Sequence, residues 1–125
     1  MSQSLSKVLV HLVFSTKNRE AFITADIEPK LHAYMVGILR ELKSPSLLIN
    51  GMQDHIHALF RLSPKIALSE VIMEVKRGSS KWIKTQGTQF HSFYWQNGYG
   101  SFSIGQSGVE QTISYIRNQK THHRN

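Results

Sequence analysis

The apolar residues of this chain switch between two spacings, and the order of those switches narrows the folds open to it. Residues 7–15, KVLVHLVFS, are apolar and β-branched and predict a buried strand. A polar connection over 16–25 carries Lys17 and Arg19. Helical spacing follows over 27–42, where Ile27, Leu31, Tyr34, Met35, Ile38, Leu39 and Leu42 form one stripe. Asp26 is positioned to cap that helix, and Pro29 is tolerated in its first turn. Lys43-Ser44-Pro45 ends it. Residues 46–52 and 55–62 then read as two strands joined tightly near Gln53-Asp54. A second helix fits 69–84, with Ser69 as its cap and Leu68, Val71, Ile72, Val75 and Trp82 as its apolar spacing. An aromatic segment, FHSFYW (90–95), leads through QNGYG to a short strand over 101–104. A last helix starts at Ser107, where Ser107 and Glu110 form the S-x-x-E pattern of a capping box.

The first six elements run strand, helix, strand, strand, helix, strand. That order predicts an α+β domain of ferredoxin-like βαββαβ type, an antiparallel sheet with two helices on one face. The seventh element, the last helix, is then free to lie on the other face. The length supports one domain, residues 1–125. No apolar run is long enough to span a bilayer, and the N-terminal segment lacks the clustered basic start and cleavage site of a signal peptide. The chain has no cysteine, which excludes disulfides and thiolate zinc sites and fits a cytoplasmic protein. Fifteen basic residues stand against eight acidic ones, a formal net charge of +7. Such an excess favours a polyanionic partner.

Two short patterns carry chemistry. His55-Ile56-His57 opens the third strand, so both imidazoles stand on one face while Ile56, Ala58 and Phe60 turn into the core. Parallel imidazoles on one face can share a divalent ion; they can equally be a hydrogen-bonded polar pair. His11, out of phase with Val10, Leu12 and Phe14, falls on the same open face if the first and third strands are neighbours. On the last helix, Val109, Thr112, Ile113 and Ile116 define a core stripe. Tyr115 lies about 120° and Gln119 about 80° from its centre. The two are i and i+4 and flank one another, either as a nucleophile beside a ligand or as an exposed tyrosine beside an ordinary glutamine.

Five stretches occur together: HLVFSTKNR (11–19), the strand pair ending in DHIHALF (54–60), EVKRGSSKWI (74–83), WQNGYGSFSI (95–104) and VEQTISYIRNQKTHH (109–123). In this order they resemble the small single-tyrosine HUH transposases of insertion sequences, including relatives associated with repetitive palindromes. The resemblance implies that His55 and His57 are metal ligands, Gln119 the third ligand and Tyr115 the nucleophile. It implies magnesium or manganese as cofactor and cleavage of single-stranded DNA beside hairpins through a 5′-phosphotyrosine. It also implies a homodimer with sheets joined edge to edge, in which one subunit's tyrosine helix can serve the partner's histidine pair. The sequence stops six residues past Gln119, where many relatives continue, so weaker anchoring of the tyrosine helix is expected.

DNA contacts are expected from Arg77, Lys81 and Lys84 on one helix face with Lys76 adjacent, and from Lys17 and Arg19. Tyr94, Trp95 and Tyr99 are candidate stacking platforms, with Trp95 equally a core residue. The alternative function is a decayed or domesticated hairpin-binding protein without catalysis. A two-histidine phosphoesterase would need a second H-x-[ST] motif, and the nearest match, His91-Ser92-Phe93, lacks the hydroxyl.

Overall fold

A computed structural model of the chain describes residues 8–122. Lys7, read as the start of the first strand, lies outside them. The strands are β1 (Val8–Ser15), β2 (Ser46–Met52), β3 (His55–Leu62) and β4 (Gly100–Ile104). The helices are α1 (Glu28–Glu41), α2 (Leu68–Ile83), α3 (Val109–Arg117) and a short α4 (Gln119–His122). The sheet order is β2-β3-β1-β4, with every neighbouring pair antiparallel. This is the ferredoxin-like arrangement that the element order predicts.

Alternation on β1 and β3 sends Val10, Leu12, Phe14, Ile56, Ala58 and Phe60 to the face under α1 and α2, where all six are buried. Leu31, Met35 and Leu39 of α1 and Val71, Ile72, Val75 and Ile83 of α2 close this core. The two helices approach closely at Gly78, where a Cβ would meet Ile38 Cδ1 at 2.9 Å. Nearby, Tyr34 stacks on Trp82. Trp95 belongs to the core. Its Nε1–H donates to Ser79 Oγ at 3.0 Å, and its ring meets Phe14 and Phe93 edge-on.

The strand limits agree with the alternation, but the three expected caps do not form. α1 begins from Ile27 in helical conformation, and Asp26 instead accepts a hydrogen bond from Thr24 Oγ1 at 2.6 Å. α2 begins one residue early, from Ala67, so Ser69 lies inside it. Ser107 sits in a 3-10 turn, Gln106–Gly108, and α3 starts from Gly108 without a side-chain cap. At α1 and α3 the position before the helix, Ile27 or Gly108, has helical backbone rather than the extended backbone that a capping side chain needs, whereas at α2 the extended Ala67 has no side-chain acceptor.

α3 packs across the open face of the sheet, against β2 and β3. It does not run on through Gln119. Asn118, with ψ 19°, interrupts it, and α4 begins one residue later.

Candidate active site

Sheet register gathers the polar residues of the open face. Directly paired residues share a face, so Asn50 on β2, His57 on β3 and Val13 on β1 form one row, and Met52, His55 and Ser15 form the next. His55 and His57 are 5% and 6% exposed, on the face opposite α1 and α2. Their rings are not parallel, as expected from strand geometry alone, but cross at 76° with centroids 5.2 Å apart. Each ring answers to a different partner, and those partners set the angle.

His55 Nδ1 lies 2.8 Å from Asp54 Oδ1, and Arg19 Nε donates to the other carboxylate oxygen at 3.0 Å. Burial would raise the Asp54 carboxyl, but hydrogen bonds from His55 and Arg19 outweigh it and hold the group below its ordinary range. An ionised Asp54 accepts the Nδ1–H of His55 and leaves the lone pair on Nε2. That Nε2 faces Gln119 Oε1 at 3.3 Å. Gln119 is fully buried, and its Nε2 donates to the Tyr115 carbonyl at 3.2 Å, which turns Oε1 towards the histidine. In that tautomer the pair presents a nitrogen and an oxygen lone pair side by side, a donor set that a metal ion could share.

His57 Nδ1 lies 2.9 Å from His11 Nε2. Burial pushes His11 below its ordinary pKa, which favours the neutral ring. A neutral His11 can accept the Nδ1–H of His57, leaving Nε2 of His57 as its lone-pair atom. His11 thus shares the open face, as the phase of β1 suggests. Tyr115 is about half exposed, with its ring edge-on to His57 at 5.7 Å and to His11 at 6.3 Å.

The tyrosine helix is tied down by residues with no motif to announce them. Asn50 Nδ2 donates to the carbonyls of Ile116 at 2.9 Å and Arg117 at 3.2 Å, closing the end of α3. Lys120 Nζ donates to Glu28 Oε2, Asn50 Oδ1 and the Gly51 carbonyl. This network bridges α4, β2 and α1. It anchors Tyr115 and Gln119 to the histidines of the same chain.

The arrangement fits a divalent ion. Neighbouring ligands of an octahedral ion lie about 3 Å apart, close to the His55–Gln119 separation. Imidazole held by a carboxylate is a recurrent ligand geometry. Among the described residues no cluster of three or more His, Cys, Asp or Glu side chains is suited to hold a metal. Binding would therefore rest on His55, His57 and the amide oxygen of Gln119.

The basic residues divide. Lys84 Nζ lies 4.3 Å and Lys17 Nζ 6.0 Å from the Tyr94 ring centroid, which brings two separate sequence regions together. Arg77 is exposed and paired with Glu74, and Lys81 is exposed. Arg19 is exposed while bound to Asp54. Lys76 donates to the carbonyls of Gln96 at 2.8 Å and Gly98 at 3.0 Å, which ties it to that loop.

The sequence profile described as "Transposase IS200 like" matches residues 4–119. The chain belongs to the IS200-like transposase family. No curated protein matches it. Among solved structures, a protein from Deinococcus radiodurans R1 classed as a transposase is 18% identical with a TM-score of 0.74, covering 95% of this chain and 98% of that one. A tyrosine transposase associated with REP sequences, solved bound to a REP hairpin, is 13% identical with a TM-score of 0.74, covering 99% of this chain and 73% of that one. At these identities both relate to this chain by fold. The sequence reading places Asp54 only in a tight turn, though its position beside the histidines in DHIH was the signal for it, whereas Asn50 and Lys120 carried no signal.

Proposed function

We propose that this transposase-family protein cleaves and rejoins single-stranded DNA beside hairpins, with Tyr115 as nucleophile and His55, His57 and Gln119 holding Mg2+ or Mn2+. The observation that carries the reading is the convergence in one chain of Tyr115 over His57 and of Gln119 on His55. The REP-hairpin-bound neighbour supports the hairpin part.

Tyr115 Oη attacks the phosphorus, losing its proton, and the bond from phosphorus to the 3′ oxygen breaks. That oxygen leaves with a proton as a 3′-hydroxyl, and the 5′ phosphate stays on Tyr115. The link retains the phosphodiester's free energy, so a second 3′-hydroxyl can reverse the step onto another strand. A divalent ion, when bound, neutralises charge on the phosphate oxygens. Asp54 and His11 hold the two imidazoles in the tautomers that present Nε2. Asn50 and Lys120 hold the tyrosine helix against its own sheet, which favours attack in cis. Pairing of two copies along a sheet edge, β2 or β4, would give the homodimer.

The test is incubation with labelled hairpin-flanked single strands and Mg2+ or Mn2+. A covalent protein–DNA adduct, lost in Tyr115→Phe and on chelation of the metal, is expected. Hairpin binding with all DNA left intact would instead favour a binding protein without catalysis.

A further inference from the structure

A cavity of about 560 Å³ opens directly beside Tyr115, within the size range of pockets that hold small organic ligands. His57, Tyr115, Gln96, Asn97, Tyr99 and Phe102 are among the residues that line it. Phe102 lies across the sheet from His11 and is 56% exposed; Tyr99 is 48% exposed. The 96–98 loop at the cavity is held in place. Lys76 holds the carbonyls of Gln96 and Gly98, the Asn18 amide donates to Gln96 Oε1, and Gly98 at φ 88° makes the turn that a side chain would strain. The Gln96 amide and the Ser15 carbonyl join this loop to the end of β1. Beyond the same loop lies the Tyr94 platform, between Lys17 and Lys84.

We propose that this cavity receives the unpaired nucleobase of a nucleotide next to the scissile phosphate, stacked on Phe102, and that the strand continues over the 94–99 loop onto Tyr94. The site rests on the single-stranded substrate proposed above. Its occupant follows from what surrounds it. An aromatic face meets a base of any sequence, the Gln96 and Asn97 amides suit polar base edges, and the two lysines beside Tyr94 suit the phosphates that follow. A nucleotide whose phosphate is at Tyr115 has its base within reach of the cavity that Tyr115 itself lines. The chain's net charge of +7 favours the same polyanion.

The test uses Tyr115→Phe protein, to prevent cleavage, and short single-stranded oligonucleotides with 2-aminopurine at successive positions beside a hairpin. Binding should quench the probe at one position. Phe102→Leu, apolar and of similar size, should abolish that quench and weaken binding about tenfold, while Phe102→Trp should restore both. Lys84→Ala should weaken binding without removing the quench and lower the salt dependence by about one ion. Unchanged quenching and affinity in Phe102→Leu would overturn the proposal. So would a Phe102→Leu defect that appears only as loss of a dimer by sedimentation, which would make Phe102 a contact between copies. Quenching without adduct formation by the unsubstituted protein keeps the cavity and refutes strand transfer. Adduct formation unaffected by Phe102→Leu does the reverse.

Discussion

Asn50→Ala is the substitution that best tests how the nucleophile is held. Asn50 sits in register with His57 and makes three hydrogen bonds to the tyrosine region: two to the last carbonyls of α3 and one from Lys120. A hydrogen bond contributes about 0.5–1.5 kcal/mol, and the exposed bonds to Arg117 and from Lys120 count at the low end. Water can reach the freed carbonyls, so the loss should be about 1–3 kcal/mol rather than the full sum. For a chain of this size each kcal/mol corresponds to about 3–6 °C in Tm, so a drop of about 3–18 °C is expected. The effect on rate should exceed what stability explains. A 1 Å displacement of a reacting group can cost about a hundredfold, and α3 is free to shift once its end is released. Adduct formation should be measured under single-turnover conditions, well below the Tm of both proteins. Asn50→Asp should not rescue it, because its carboxylate would face the two carbonyls. A rate within about twofold of the unsubstituted protein would refute the argument that Asn50 positions Tyr115.

Asp54→Asn should weaken Mn2+ binding about 10–100-fold in a calorimetric titration, because His55 loses the carboxylate that orients it; equal affinity would remove Asp54 from the site. His32 is lowered from its ordinary value of 6.5 by burial, with Glu28 opposing and Lys120 reinforcing the shift. The unfolded chain therefore takes up this proton first. The contribution to stability is complete above that value and is lost as pH falls through it towards the folded pKa. Urea unfolding between about pH 7.5 and pH 5.5 should show that slope together with the one from His11, which burial also lowers, and His32→Gln should make it shallower; an unchanged slope would contradict the assignment. Trp95→Phe keeps the ring in the core but removes the donor to Ser79 Oγ, and should cost about 1–3 kcal/mol in chemical denaturation. No loss there would mean that the Trp95–Ser79 bond contributes nothing net.

The strands, and the face that each of their residues takes, follow from local patterning. Alternation is a property of the local backbone, so the limits of β2 and β3, the burial of Ile56, Ala58 and Phe60, and the open-face position of His11, His55 and His57 were all legible. Tyr115 and Gln119 do neighbour one another as their i, i+4 spacing suggests, but across a break at Asn118 rather than on one continuous helix. Helix starts were less legible, because α1 and α3 begin from residues already in helical backbone and α2 begins early enough to place Ser69 inside it. Tertiary structure alone decided which atoms meet. It turned the paired imidazoles out of parallel, drew Lys76 into holding the 96–98 loop, and set Gln119 against His55 past a break in the helix. It also joined Asn50 and Lys120 to elements far away in sequence. Such contacts leave no local periodicity, because they depend on how the sheet's open face and the last helices come together in space.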